Sequence, residues 1–270
     1  MRKLHFIPLV ILSLIACEKV IEVDLNTADP KTVIDASICA QDSFHVIFIS
    51  ESGRFTDAEG LARVSGALAT LKDQNGIEGT FTELDSGIYF LQSFPLIDGN
   101  TYELNVTRGD ELITATSFLN PQITLDSILF EENEFGGGGG GPGGNAQERT
   151  KYRTSVVFQD PGNVENFYRL IMTVNDTVDK TFVALTDDLT NGNERSYRYR
   201  SRNVFEGDSV DMELWTIDRS GYDYFETLAD IASDGGFSSA TPYNPITNLS
   251  GGLGSFTVYN RSRISGIVIP

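Results

Sequence analysis

The expected class of fold follows from one short stretch, Asp98-Gly99-Asn100-Thr101-Tyr102-Glu103-Leu104-Asn105-Val106. Its first three residues are turn formers. From Tyr102 onward large apolar residues alternate with polar ones, and this alternation places Tyr102, Leu104 and Val106 on one side of an extended strand. The stretch therefore predicts a tight turn followed by a half-buried β-strand.

The same alternation with a period of two recurs along the chain, in short apolar runs separated by Gly, Asp and Asn. In the first 120 residues we predict eight strands, a spacing typical of a β-sandwich. They cover Val20 to Leu25, Val33 to Cys39, Phe44 to Ser50, Ala62 to Lys72, Gly76 to Thr82, Ile88 to Gln92, Thr101 to Arg108 and Leu112 to Leu119.

Two local signals refine this prediction. Asn75-Gly76 lies between apolar runs and predicts a tight hairpin turn, because both residues tolerate a positive φ. Tyr102, the first large residue of its strand, resembles the tyrosine corner of immunoglobulin-like sandwiches, in which the phenol hydroxyl binds nearby backbone.

The rest of the chain continues the strand pattern, with one expected interruption by a helix. Further strands are predicted over Ile123 to Phe130, Tyr152 to Gln159, Phe167 to Val174, Thr181 to Leu185, Tyr197 to Asn203, Ser209 to Ile217, Ser255 to Tyr259 and Ile264 to Ile269. Ser220 to Ala232 has helical spacing, with Ser220 as the expected cap. The Gly136 to Gly144 run, interrupted by Pro142, cannot pack a core and predicts a flexible loop.

These patterns predict an all-β fold with one short helix. We expect an immunoglobulin-like β-sandwich over residues 17–120 and a second β-rich domain over residues 121–270, with the glycine-rich loop at 136–144. Residues 1–16 are interpreted as a signal peptide. Arg2 and Lys3 precede an apolar run that is too short to span a bilayer, which takes roughly 20 residues.

The end of that apolar run, Leu14-Ile15-Ala16-Cys17, resembles the lipobox of bacterial lipoproteins. The resemblance implies that Cys17 carries a lipid and becomes the first residue of the mature chain. An ordinary secretory signal with an incidental cysteine is the alternative. Because a lipidated Cys17 leaves Cys39 without a partner, we expect Cys39 to be a small buried side chain in a strand.

Charge excludes one class of partner. The formal net charge is −18, and loss of Arg2 and Lys3 with the signal makes it more negative. Such an anion is not expected to bind nucleic acid or anionic headgroups. We attribute the acidity to solubility, with an acidic groove for a cationic ligand as the alternative.

No catalytic constellation or cofactor motif is apparent, so we predict a protein that is not an enzyme and needs no cofactor or metal. His45 is the only histidine beyond the signal. Asp160, Asp187 and Asp188 are the carboxylates to inspect for a glycosidase-type pair, although their Pro-Gly and Asn-Gly surroundings indicate turns. Calcium binding near Asp187 is weakly suggested, but the later glutamate of a calcium loop is missing.

Three tripeptides, which begin at Asp126, Asp176 and Asp208, resemble the Asp-Ser/Thr-apolar acceptor of protein O-glycosylation in Bacteroidetes. The resemblance implies Ser127, Thr177 and Ser209 as candidate sites.

Three longer stretches resemble a family of uncharacterised Bacteroidetes lipoproteins. They are Cys17 to Leu25, Phe158 to Pro161 and Asn248 to Phe256. The resemblance implies an outer-membrane lipoprotein with an immunoglobulin-like first domain, anchored on the periplasmic or the cell-surface side. Such proteins tend to be encoded beside TonB-dependent receptors, and no catalytic residues are defined for them.

We therefore expect a non-catalytic accessory to a TonB-dependent β-barrel transporter, which helps to bind or admit a substrate of unknown identity. A structural or adhesive surface protein and a carboxylate-dependent enzyme are the alternatives. In the loop from Thr241 to Gly254, Tyr243 is the expected partner-binding residue, because an aromatic ring offers a large contact area at low entropic cost.

Overall fold

A computed structural model describes residues 29–53, 61–133, 150–162, 164–234 and 243–269. The described part contains seventeen strands and one helix, which confirms the expected all-β fold with a single helix. The elements are β1 Thr32–Cys39, β2 Phe44–Glu51, β3 Ala62–Arg63, β4 Leu68–Asp73, β5 Glu78–Thr80, β6 Thr82–Asp85, β7 Ile88–Gln92, β8 Thr101–Arg108, β9 Glu111–Phe118, β10 Leu125–Glu132, β11 Lys151–Gln159, β12 Phe167–Val174, β13 Thr177–Val178, β14 Val183–Thr186, β15 Glu194–Phe205, β16 Ser209–Ile217, α1 Arg219–Asp234 and β17 Leu253–Ile267.

The strands form one large sheet and two small ones. The large sheet has the order β13-β12-β16-β17-β1-β2-β7-β6, with β14 beside β12 and β3 beside β2. One small sheet has the order β5-β4-β8-β9 and shares a core with β1, β2 and β7. The other has the order β10-β11-β15 and shares a core with β12 and β16. Two sandwiches therefore use different halves of the same large sheet.

The last strand, β17, connects these halves. Leu253 to Tyr259 pair in parallel with Val33 to Cys39 of β1, and Asn260 to Ile267 pair antiparallel with β16. Phe256 and Val258 accordingly belong to the first core, whereas Val268 belongs to the second. The division near residue 120 stays a prediction, and the structure adds that one strand is shared across it.

Close contact between β17 and β1 requires glycine at position 254. Gly254 has a φ of +98°, and a Cβ atom there would overlap the backbone oxygen of Ile34 and lie 2.9 Å from its carbonyl carbon. Both the backbone conformation and the lack of space exclude a side chain. The pairing of the first and last described strands therefore depends on this position.

Both local signals in the first sandwich have structural counterparts. Tyr102 is fully buried, and its hydroxyl accepts a hydrogen bond from the Ile97 N–H at 2.6 Å, as a tyrosine corner requires. Asn75-Gly76 connects β4 to β5, with Gly76 at a φ of +86°. The side chain of Asp73 accepts hydrogen bonds from the N–H groups of Asn75 and Ile77, which fixes this turn.

Helix α1 covers one side of the large sheet. It begins one residue earlier than expected, and its cap is Asp218 rather than Ser220: Asp218 Oδ1 accepts hydrogen bonds from the Gly221 N–H and from the Ser220 hydroxyl. Phe225 of the helix packs against Trp215 of β16. Within the described ranges, no helix is long and apolar enough to cross a membrane.

Candidate functional site

A wide irregularity in β15 creates the most distinctive surface of the second sandwich. Thr154 of β11 pairs with Tyr199, but Tyr152 pairs with Val204. Four residues of β15, 200–203, therefore lie opposite the single residue Arg153. We call this segment, Arg200 to Asn203, the β15 bulge. The extra residues of the edge strand are not paired with the neighbouring strand, so β15 bends there and their side chains leave the regular in-and-out alternation.

A cavity of about 390 Å³, here called the arginine cavity, lies beside the β15 bulge. Three guanidinium groups line it, and the described part of its lining includes neither a carboxylate nor a histidine. The lining residues are Asn133, Arg153, Arg198, Tyr199, Arg200 and Asn203. A second cavity, of about 560 Å³, shares Arg198 and Arg200 and is also lined by Leu129, Glu131, Ser155, Ser196 and Tyr197.

The two asparagines form a polar wall of the arginine cavity. The Asn133 side-chain amide donates a hydrogen bond to Asn203 Oδ1 at 3.1 Å. Asn133 Oδ1 is buried and accepts no hydrogen bond from the described residues. A buried acceptor without a donor is uncommon in a folded protein. The wall therefore retains unused hydrogen-bonding capacity.

Only one of the three cavity arginines forms an ion pair within the described part. Arg198 Nη2 lies 2.9 Å from Glu131 Oε2, and both side chains are about half exposed. An exposed ion pair of this kind contributes little to stability. Arg198 can therefore exchange Glu131 for another anion at low cost, whereas Arg153 and Arg200 form no ion pair with any described carboxylate.

The tyrosines next to these arginines remain neutral. Burial, together with the negative charge of Asp179, raises the pKa of Tyr199 to about 12. Burial also raises the pKa of Tyr197. The positive charge of the arginines is therefore not offset by phenolate at physiological pH.

The arginine cavity lies in a basic patch on an acidic protein. Six of the chain's 20 lysines and arginines belong to β11 and β15. They are Lys151, Arg153, Arg195, Arg198, Arg200 and Arg202. Concentrated charge of one sign creates a local potential that can differ from that of the whole molecule. This patch can attract anions although the net charge is −18.

Chemically, the arrangement is suited to binding. Guanidinium groups are planar donors that stay protonated and match the geometry of carboxylate and phosphate oxygens. Among the residues that the structure describes, no three acidic, histidine or cysteine side chains come together in a way that could hold a metal ion.

Tyr243, the predicted partner-binding residue, is half exposed. It stands at the start of a segment whose later residues are fixed: Ile246 N donates to Thr227 Oγ1 of α1, and Asn248 bonds to Thr116, Ser220 and Phe256. The segment from 246 thus closes over α1 and β9. Tyr243 is far along the chain from β15, and its binding role stays a prediction.

The three predicted glycosylation positions lie on strands. Thr177 and Ser209 are exposed, and both bond to Asn175 at the tip of the β12–β13 hairpin: the Thr177 hydroxyl to its backbone oxygen, and the Ser209 N–H to its side chain. Ser127 is half buried, at a register shift between β10 and β11. Their use remains a prediction.

Lipidation of Cys17 also remains a prediction. Cys17 lies outside the described residues, together with residues 1–16 and the loop at 136–144.

Two of the aspartates considered for catalysis have structural partners. Asp160 is buried and accepts hydrogen bonds from the Tyr168 hydroxyl and from the Gly192 N–H. Asp187 is buried and accepts one from the Asn166 side chain, whereas Asp188 is exposed. These bonds tie two turns together, as the surrounding Pro-Gly and Asn-Gly sequences predict.

The other candidate side chains are buried in neighbouring strands of the large sheet. Cys39 is a buried free thiol in β1, as expected, and burial raises its pKa. His45 is buried in β2, with Nε2 at 3.1 Å from the Phe94 oxygen.

Sequence reasoning missed the arginine cavity, although a signal was present. In Glu194-Arg195-Ser196-Tyr197-Arg198-Tyr199-Arg200-Ser201-Arg202, tyrosines and arginines alternate, which indicates a strand with an apolar and a cationic side. A net charge of −18 describes the whole chain and does not reveal this local excess of positive charge. The β15 bulge, which assembles the cavity, has no comparable signal.

Comparison with known proteins gives a family but no described activity. The family model named "Domain of unknown function (DUF4249)" matches residues 18–265. No curated protein matches the chain. The crystal structure of CBD12 from CALX1.2 aligns with 87% of this chain and 100% of its own, at 8% sequence identity and a TM-score of 0.19, values at which the likeness carries no functional information. Because the family model covers most of the sequence, the chain belongs to the DUF4249 family of domains of unknown function.

Proposed function

We propose that this protein is an outer-membrane lipoprotein that binds a ligand on behalf of a TonB-dependent transporter and does not catalyse a reaction. The arginine cavity is the observation that carries the binding role. It offers three guanidinium groups in a concave site of about 390 Å³, within the size range of small-molecule sites. A binding protein needs such a site and no nucleophile or general base.

The anchor and the partner come from the sequence. A lipid on Cys17 would hold the protein on one leaflet of the outer membrane and leave the folded part in water. The resemblance to Bacteroidetes lipoproteins encoded beside TonB-dependent receptors supports a β-barrel partner. In this proposal Tyr243 contacts the transporter, while the arginine cavity, on a different element, stays available to ligand.

Co-purification tests the transporter part. Wild type is purified from its own membranes in mild detergent, beside Tyr243→Ala and Ile77→Ala. Ile77 is the matched control, because its side chain is 49% exposed, close to the 50% of Tyr243, and lies in the β4–β5 turn. Loss of an aromatic contact at an interface centre costs about 2 kcal/mol or more, so Tyr243→Ala should recover roughly 30-fold less barrel, and Ile77→Ala should recover as much as wild type. Wild type that brings down no barrel contradicts the proposal.

A structural or adhesive role is the second candidate, and one surface favours it. On the outer side of β2, Phe44 and Phe48 are 58% and 43% exposed, and Phe48 lies opposite Ile88 of β7. Exposed aromatic side chains on a sheet are a recognised feature of contact surfaces. If wild type recovers no barrel, and Phe44→Ala reduces cell-to-cell or cell-to-surface attachment, this role replaces the transporter role.

A further inference from the structure

We propose that the arginine cavity binds a small molecule that carries two or more carboxylate or phosphate groups. This inference rests on the binding role proposed above and specifies the class of ligand. Three observations carry it: the convergence of guanidinium groups from two strands, their position in two adjoining cavities, and the size of the space between them.

The first observation is the number of cations at one place. Arg198 and Arg200 come from β15 and Arg153 from β11, and all three line the same cavity. Like charges in close proximity repel, and among the described residues only Glu131, the ion-pair partner of Arg198, offsets this repulsion. A ligand with one negative charge would leave the repulsion largely in place, whereas a ligand with two or three would balance it.

The second observation is the shared lining of the two cavities. Arg198 and Arg200 face both the arginine cavity and the larger cavity next to it. One anionic group between these two side chains can receive a bidentate hydrogen bond. A second group then meets Arg153 on the polar side, where Asn133 and Asn203 supply the wall.

The third observation is size. About 390 Å³ accommodates a compact organic anion and is far too small for a nucleic-acid duplex or a folded protein. The larger cavity adds Leu129 and Tyr197, which can contact an apolar portion of the ligand, and Glu131, which the ligand's anionic group would replace as the partner of Arg198. Cationic ligands are disfavoured by the three guanidinium groups.

Calorimetry of the full chain in mild detergent tests the proposal. The probes are citrate and inorganic pyrophosphate, which represent the carboxylate and phosphate classes, with acetate and methyl phosphate as singly functional controls at equal ionic strength. We expect saturable binding of citrate, pyrophosphate or both, at least about 10-fold tighter than the control of the same class. Whichever probe binds more tightly identifies the class.

Matched substitutions locate the site. Arg200→Gln and Arg153→Gln should each weaken the binding by about 10-fold or more, because each removes charge-assisted hydrogen bonds. Arg202→Gln removes the same charge from the same bulge, but Arg202 does not line the cavity, so its effect should stay below about 2-fold. Far-UV circular dichroism verifies the fold, and Arg→Lys replaces any Gln variant that does not fold, with a weakening expected because the planar fork is lost.

Two results would overturn the inference: no saturable binding of either probe by folded wild type, or equal weakening by Arg202→Gln and Arg200→Gln. The outcome is independent of the transporter. Tight binding of pyrophosphate by a protein that recovers no barrel would sustain the ligand class and remove the proposed partner, whereas barrel recovery without probe binding would do the reverse.

Discussion

Gly254→Ala tests the contact between β17 and β1, which joins the two halves of the large sheet. The substitution adds one methyl group to β17 at the residue paired with Ile34 of β1. Two separate costs follow, because Gly254 has a φ of +98° and because the new Cβ would overlap the Ile34 backbone oxygen.

The magnitude can be built from these two costs. A residue with a Cβ at positive φ is less stable by roughly 1–2 kcal/mol. Overlap with backbone that cannot move without losing strand pairing adds roughly 1–3 kcal/mol. Together they predict a loss of roughly 2–5 kcal/mol in the free energy of unfolding, and in a protein of this size roughly 4–20 °C in Tm.

Gly76→Ala separates the two costs. Gly76 has a similar φ of +86°, but its Cβ would meet nothing within 4 Å, so only the conformational cost applies. Thermal and urea unfolding, followed by circular dichroism, should place Gly254→Ala below Gly76→Ala by roughly 1–3 kcal/mol. Equal stability of the two variants would refute the close approach of β17 to β1 at this register.

Three further outcomes are expected. Tyr102→Phe should lower the free energy of unfolding by about 1 kcal/mol, because the Ile97 N–H loses its hydrogen bond to the hydroxyl of the buried Tyr102, and an unchanged urea midpoint would contradict this. The stabilisation that Tyr199 contributes should be fully present below about pH 10 and should decline toward pH 12, because burial raises its pKa to about 12 and the fold thus favours the neutral phenol. Urea unfolding at pH 9 and pH 11 measures this decline. Equal free energies of unfolding at the two pH values would be inconsistent with it. Cys17→Ser should abolish incorporation of a labelled fatty acid, and a variant that still incorporates label would show that the anchor lies elsewhere.

Sequence periodicity located many strands well, because one face of each is buried. β7, β8, β12 and β16 have the predicted bounds, and in β8 the buried residues Tyr102, Leu104 and Val106 alternate with polar ones. The predicted strand from Ala62 to Lys72 is instead divided into β3 and β4. Gly66, with a φ of +77°, turns the chain between them.

β17 was predicted as two strands but is a single one of 15 residues. Arg261 and Arg263, which fall between the two predicted strands, lie opposite Trp215 and Glu213 of β16. Arg263 forms an ion pair with Glu213 at 3.1 Å. Polar residues in the middle of a strand interrupt the hydrophobic pattern, but they fit a sheet when the neighbouring strand supplies a partner.

The candidate site was less accessible to prediction than the fold. Local alternation indicates that Arg198 points away from the core, but the cavity depends on the irregular pairing of β15 with β11. Such pairing is set by tertiary contacts between segments about 50 residues apart, and no local pattern encodes it. The cap of α1 differs from the prediction for another reason. Asp218 lies only two residues before Ser220, and helix ends are defined only to within one or two residues.

The pairing of β1 with β17 also has a kinetic consequence. During synthesis the first sandwich cannot complete its share of the large sheet until β17 is made, because Phe256 and Val258 belong to its core but lie far along the chain from β1. Until they arrive, β1 has one unpaired edge. Contacts between residues that are far apart in the sequence slow folding. The described part of the polypeptide should therefore stay incompletely folded until β17 is available, so that removal of β17 would impair both sandwiches at once.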